Sequence, residues 1–495
     1  MQTSEHFPSS TIPVPCFDKS DTRNLSMLFD FYEATMSNGY ILKQKENTIA
    51  VFDLFFRKIP DKGGYVIMAG LSQVITYLQN LHFTSDDINY LRSKKMFSEE
   101  FLTYLKNFKF ACDVFAVREG TVVFPNEPIL TIVGPLLQTQ FIETMLLLCI
   151  NHQSLIATKS SRIKRSAGNK TVMEFGSRRA QGFDGAVYGA RAAFIGGCDS
   201  SSCAYSDEVF GVPAIGTMAH SWIQSFDSEY EAFKAWAEIY PDNCVLLIDT
   251  YHVIESGVTN AIKVFNEVLK PLNKRPKGVR IDSGDLIQLT KECRAILNAN
   301  GYDDVKIIVS NSLDEYRIET LLNEGACIDS FGVGERLITA RSEPVFGGVY
   351  KLVAIKNTNG EYVPKIKLSE SIEKITNPGF KTIVRVYDKH SHKAMCDVIC
   401  FKNETLNEND ELILNDGTVI KDYYLKDLHV QIFKEGELVY KQETLSEIKE
   451  FAKSEVMRLS EHLLSLKGVE KGYQVILSKE LNKKKVKIIS YLSKK

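Results

Sequence analysis

Four short runs of Val, Ile and Leu recur between residues 245 and 337, and each breaks off at Asp, Ser, Asn or Gly. They are VLLIDT (245–250), GVRIDSGD (278–285), KIIVSNS (306–312) and CIDSFGVG (327–334). Between them lie stretches of about twenty to thirty residues with apolar positions at helical spacing, such as 258–269 and 286–297. Strands that are apolar on both faces and joined by helices predict a parallel sheet. In such sheets ligands gather where the strands end, which nominates Asp249, Asp282, Ser310, Asn311, Gly332 and Gly334 as lining one site.

The same rhythm begins earlier. Residues 171–179 (TVMEFGSRR), 193–202 (AFIGGCDSSS) and 212–220 (VPAIGTMAH) each set polar groups after an apolar run. Together these make seven candidate strands, close to the eight of a (β/α) barrel. The competing open, doubly wound sheet needs a GxGxxG turn after its first strand, and the chain has none.

Outside this region the patterning is mixed. Residues 27–39 and 74–81 predict helices, 50–56 a strand, and 121–133 two strands around a Pro turn, as in an α+β domain. Beyond 348, residues 349–355 and 381–387 predict strands, 402–421 a polar loop and 446–466 a helix. The division expected is a Ser/Thr/Pro-rich flexible lead-in (1–20), an N-terminal α+β domain (21–155), a barrel (156–345) and a C-terminal region (346–495), part of which packs back on the N-terminal domain.

Composition narrows the class. Sixty Lys and Arg against 62 Asp and Glu leave no basic excess for nucleic acid. Nothing approaches the ~20 apolar residues of a membrane span; the longest run, 145–150, suits a core helix. The first fifteen residues have no basic, apolar signal pattern, and the ten cysteines lack a CxxC pair, so reduced thiols in a cytoplasmic protein are expected. Lys483, Lys484, Lys485 and Lys487 predict a solvated helix face.

Several residues carry candidate chemistry. Arg178 and Arg179 follow a strand directly and offer planar forks for a carboxylate or phosphate, although surface ion pairs would look the same. Phe175 beside them could stack on an aromatic ligand or simply fill the core. Arg280 and Asp282 alternate and so point the same way, which suits a phosphorylated sugar or a structural ion pair. The SGD and FGVG turns let backbone N–H groups approach a phosphate. His220, in GTMAHSW, could serve acid–base or phosphoryl chemistry, or be a satisfied structural histidine. His252 reads as a packing or hydrogen-bonding group.

The segments FYEATMSNGY, MEFGSRRAQG, GGCDSSS, GTMAHSW, LLIDTY, VRIDSGDL, VSNSLDE, FGVGERL and GGVYKL, taken together and in this order, resemble the nicotinate phosphoribosyltransferase family over some three quarters of the chain. The resemblance implies an irregular α/β barrel of the type II phosphoribosyltransferase kind packed on an N-terminal domain. It implies an enzyme, a C–N bond-forming ligase, that makes nicotinate mononucleotide from nicotinate and phosphoribosyl pyrophosphate for NAD salvage, with ATP as co-substrate, Mg²⁺ as cofactor and sites shared across a homodimer. It also implies roles. Asp249 and Asp282 would stabilise the sugar cation and hold Mg²⁺, and His220 would become phosphohistidine. Phe175, with Tyr32 of the partner subunit, would sandwich the pyridine. Arg178, Thr217 and Arg280 would surround nicotinate, and Ser310, Gly332, Gly334 and Glu335 would line the phosphoribosyl end.

This chain departs from the family pattern at three places. Glu335 stands where Thr is expected and must point away or be offset by Arg336. Cys203 stands for Asn, and His252 for Asp. Two other readings compete. A nicotinamide-using relative would favour an acid near the ring, and Asp199 stands close to where that enzyme places one. A catalytically dead scaffold should have lost Asp249, Asp282, Gly284, Gly332 and Gly334, all of which remain.

Overall fold

The structure is a computed structural model that describes residues 23–368 and 375–494. The lead-in expected at 1–20 lies outside the described residues.

Six parallel strands form the central sheet: Thr171–Glu174, Ser200–Ser201, Val245–Leu247, Gly278–Ile281, Lys306–Ser310 and Ser330–Val333. The last strand pairs with the first, Phe331 opposite Val172, and from the third to the sixth each pairs with its successor. The first also pairs with the second, so the order is that of a (β/α) cylinder cut at one seam, between Ser200–Ser201 and Val245–Leu247. Val172, Leu246, Val279, Ile281, Ile307, Val309 and Phe331 are fully buried, as strands covered on both faces require.

Two predicted strands form only in small part. Residues 193–195 end the helix Gly182–Ile195, whose small residues Ala190, Ala192 and Ala193 bury themselves close to the long helix Glu143–Ala167; only Ser200–Ser201 pairs. Residues 212–220 contribute a single bridge, Ala214 to Ser201. Pro213 there has no N–H to offer, and Ile215 faces solvent. The segment therefore lies along the seam without closing it. The stretch predicted as a helix over 258–269 is α-helical for Val258–Val264, with π-type turns on both sides.

A seven-stranded antiparallel sheet stands beside the cylinder, in the order Tyr362–Pro364, Gly348–Lys356, Ile49–Phe56, Leu130–Pro135, Asp113–Val117, His429–Lys434, Glu437–Leu438. Strands from both ends of the chain thus share one sheet. The helix Glu143–Ala167 joins sheet to cylinder, and its buried Lys159 binds Asp61, Glu315 and Ser342 at 3.0, 2.9 and 2.7 Å. A four-stranded sheet holds Tyr423–Asp427, Lys381–Asp388, Ala394–Phe401 and Gln474–Leu477. Its Arg385 is buried, pairs with Asp397 and Glu455, and donates to the carbonyl of Val122 at 2.7 Å. Lys483, Lys484 and Lys487 are exposed on the helix Lys479–Leu492, while Lys485 donates to Asn377 at 2.8 Å.

The helix predicted at 27–39 runs Phe31–Leu42 and buries Glu33 completely. Thr144 donates to Glu33 Oε1 from its N–H at 3.1 Å and its hydroxyl at 2.6 Å, while Oε2 has no partner. Burial raises the carboxyl to about 8, with the Thr144 bonds opposing and Glu143 and Asp30 adding. Between 4.5, its ordinary value, and about 8, the folded chain keeps a proton that the unfolded chain has lost. Stability therefore falls as pH rises through that window. Glu33→Gln removes this term, so the loss of Tm from about pH 5 to about pH 8 should be smaller in the variant, as thermal melts can read.

Candidate active site

The carboxyl ends of the parallel strands turn at polar residues, and those residues meet. Asp249, just past the third strand, accepts at Oδ2 from the Asp282 N–H (2.8 Å) and the Ser283 hydroxyl (2.7 Å). Its Oδ1 is buried without a partner. Asp282, just past the fourth strand, accepts at Oδ1 from Ser310 of the fifth at 2.6 Å. Its Oδ2 lies 4.0 Å from His220 Nε2, and His220 Nδ1 sits 3.1 Å from the Thr250 hydroxyl. These side chains bring three strand ends and the seam segment together.

Arg280 reaches across the same seam. Its Nη1 donates to the Thr217 hydroxyl at 2.7 Å and to the Met218 carbonyl at 3.3 Å, leaving Nε buried and free of partners. Burial lowers its pKa from the ordinary value and nearby Arg178 lowers it further, while Asp282 and Asp249 oppose. The exposed Arg178 thus lies within electrostatic range of Arg280, and an anion near both would relieve their repulsion.

Phe175 stands above the last strand, its N–H donating to the Val333 carbonyl at 2.8 Å. A Cβ on Gly332 would lie 2.5 Å from the Phe175 ring and 3.3 Å from Ser310 Cβ, so the residue there must be glycine if the ring is to stay. At Gly334 the Phe175 carbonyl is the nearest neighbour, at 3.3 Å from such a Cβ, and a short helix, Glu335–Ile338, begins next. Gly332 is thus packed against the Phe175 ring and Gly334 against the Phe175 backbone. After Ser310 the chain turns through Asn311 and Ser312, both in the left-handed region (φ 107° and 50°), an arrangement that costs local strain and collects at functional rims.

Other expectations fall elsewhere. Tyr32 is on the helix Phe31–Leu42, 45% exposed, with burial of its hydroxyl and neighbouring Glu143 raising its pKa. The offset proposed for Glu335 comes from Arg341, 3.4 Å away, because Arg336 is taken by Asp314 at 2.5 Å. Arg179 and His252 are exposed, and the His252 carbonyl accepts from Ser256 and Gly257. Asp199 lies at the opposite, amino end of the cylinder, bound by Lys164 (2.9 Å) and the Val172 N–H (2.9 Å). It therefore stands away from the strand ends where Asp249, Asp282 and Arg280 meet. Thr250 and Ser283 join this network, and Glu174 bonds to Ser201 beside it, without any of the four having been singled out in the sequence. Their signal was slight, a hydroxyl or carboxyl beside a strand end already nominated. Among the described residues no group of three or more His, Cys, Asp or Glu has the arrangement of a metal centre.

Three family descriptions match in order: nicotinate phosphoribosyltransferase N-terminal domain (27–151), the nicotinate phosphoribosyltransferase family (171–403) and its C-terminal domain (380–485). The chain is similar to the nicotinate phosphoribosyltransferase of Bacillus subtilis, 39% identical over 463 residues, covering 92% of this chain and 94% of the relative. It is 31% identical to the human nicotinate phosphoribosyltransferase, covering 92% and 95%. The crystal structure of human nicotinic acid phosphoribosyltransferase superposes with a TM-score of 0.83 at 29% identity, covering 92% of this chain and 99% of that one. The chain belongs to the nicotinate phosphoribosyltransferase family.

Proposed function

We propose that this enzyme transfers phosphoribose from phosphoribosyl pyrophosphate to nicotinate, giving nicotinate mononucleotide and pyrophosphate for NAD salvage, with ATP hydrolysis assisting. The observation that carries the reading is the meeting of cations, acids and phosphate-loop glycines on one rim. Arg280 and Arg178 take the nicotinate carboxylate, and Thr217 holds Arg280 in place. Phe175 covers one face of the pyridine, which aims its nitrogen at the anomeric carbon. As the bond to pyrophosphate breaks, the sugar gains positive charge, and Asp282 and Asp249 stabilise it from a fixed position. The turns at Gly332 and Gly334 offer backbone N–H groups to the 5-phosphate.

Asp249 Oδ1 and Asp282 Oδ2 suit Mg²⁺, which is commonly bound by one or two carboxylates together with substrate phosphates. Held there, Mg²⁺ would neutralise charge on the departing pyrophosphate. His220 is the acceptor for ATP. With Nδ1 turned to Thr250, Nε2 takes the γ-phosphoryl group, forming a P–N bond as the P–O bond to ADP breaks, and water later releases phosphate. A homodimer supplies Tyr32 of the partner subunit to the second face of the pyridine. The exposure of Phe31, Tyr32, Met36 and Leu42 along one helix supports such an interface. The enzyme works in the cytoplasm, in keeping with the free state of all nine cysteines among the described residues.

Incubation with nicotinate, phosphoribosyl pyrophosphate and Mg²⁺, with and without ATP, tests the reaction; the mononucleotide should form in both and faster with ATP. Calorimetry with nicotinate and nicotinamide tests the substrate. The pairing of Arg280 with Arg178 predicts tighter nicotinate, and tighter nicotinamide would overturn the choice.

A further inference from the structure

Glu174 belongs to the MEFGSRR segment, yet the chemistry above gives it no task. It is fully buried, and no Lys or Arg pairs with it among the described residues. A buried carboxyl without a cation is costly unless hydrogen bonds satisfy it. Two do. The Gly176 N–H donates to Oε1, and the Ser201 hydroxyl donates to Oε2 at 2.6 Å. Burial raises its pKa and these bonds pull it back.

The partners are telling. Gly176 follows Phe175 and opens the turn Ser177–Arg179 that bears Arg178. A Cβ on Gly176 would lie 2.6 Å from Ile338 and 2.8 Å from Glu174 Oε1, so this turn is clamped on two sides. Ser201 borders the seam. Its hydroxyl accepts from the Cys203 N–H at 3.0 Å, its N–H donates to the Pro213 carbonyl at 3.0 Å, and its carbonyl accepts from Ile215 at 2.9 Å. Thr217, the partner of Arg280, lies two residues further on. At the place where the backbone ladder of the cylinder ends, one carboxyl spans the two segments that would face nicotinate from opposite sides.

We propose that Glu174, acting through Ser201, is a positioning residue that fixes the width of the nicotinate pocket at the open seam. The inference rests on the reading that Phe175, Arg178 and Thr217 hold nicotinate. It also accounts for the DSSS segment: Ser201 supplies the hydroxyl that the carboxyl requires, and the backbone on either side of it carries the seam segment.

Steady-state constants for both substrates in wild type, Ser201→Ala, Glu174→Gln, Glu174→Ala and Arg178→Ala test it. Ser201→Ala and Glu174→Ala should raise KM for nicotinate by about 10-fold, with KM for phosphoribosyl pyrophosphate within about twofold. Glu174→Gln keeps an oxygen for the Gly176 N–H and an amide for Ser201, so it should recover most of that loss. An unchanged nicotinate KM in Ser201→Ala and Glu174→Ala, an equal rise in both constants, or no recovery in Glu174→Gln would each overturn the proposal. Should Glu174→Ala fail to fold, Ser201→Ala and Glu174→Gln decide it by the same criteria. Arg178→Ala separates the two levels. If it leaves nicotinate KM unchanged, the site reading falls and takes this inference with it. If it raises that constant while the Ser201 and Glu174 variants do not, only the positioning role is lost.

Discussion

Asp282→Asn is expected to lower kcat by about 10²- to 10³-fold while leaving KM for nicotinate nearly unchanged. The substitution is isosteric: an amide oxygen can still accept from Ser310, and the backbone N–H still donates to Asp249. What disappears is a negative charge at the place where the sugar becomes cationic. That interaction strengthens on approach to the transition state, so its loss should appear in kcat more than in ground-state binding. Steady-state kinetics at saturating nicotinate would read it directly. A kcat within about threefold of wild type would mean that Asp282 holds the architecture of the rim and not the charge of the reaction.

His220→Asn should abolish ATP hydrolysis and phosphoryl transfer to the protein while leaving slow, ATP-independent product formation. Asn retains hydrogen-bonding groups near Thr250 but has no nitrogen able to accept a phosphoryl group. Radiolabel from the γ-position of ATP should remain on wild-type protein and be missing from the variant. Full coupling of ATP to product in His220→Asn would move the phosphoryl acceptor elsewhere. The 4.0 Å approach of His220 Nε2 to Asp282 links the two experiments. A phosphoryl group on that nitrogen would stand beside the carboxylate, and the repulsion between them is one route by which ATP could alter affinity at the sugar end.

Much of the cylinder was legible because its strands are buried on both faces. Val245–Leu247, Gly278–Ile281, Lys306–Ser310 and Ser330–Val333 all announce themselves by short, mainly apolar runs with polar stops. The seam was not. Residues 193–195 are as apolar as a strand, but they finish a helix whose alanines fit the long helix behind it. Residues 212–220 look like a strand until Pro213 and the exposed Ile215 are placed against Ser201, which Ala214 meets in a single bridge. Pairing is a property of two segments, and a run read alone cannot report on its partner.

The site divides in the same manner. Asp249, Asp282, Ser310 and Gly332 end strands, so position along the chain points to them. Thr250, Ser283 and Ser201 matter through what stands opposite, which no local pattern records. Glu335 shows the reverse case. Its neighbour Arg336 was the natural counter-ion by proximity in the chain, but Asp314 claims that arginine and the more distant Arg341 serves Glu335.

The mixed ancestry of the seven-stranded sheet has a consequence for synthesis. Ile49–Phe56 is flanked by Leu130–Pro135 and Gly348–Lys356, and Asp113–Val117 waits for His429–Lys434. While the ribosome is still translating the cylinder, both early strands carry an unpaired edge, the kind of surface that invites aggregation. Nascent chains stalled before Gly348 should therefore recruit chaperones or precipitate, whereas the arrival first of Gly348–Lys356 and then of His429–Lys434 seals the two edges in turn.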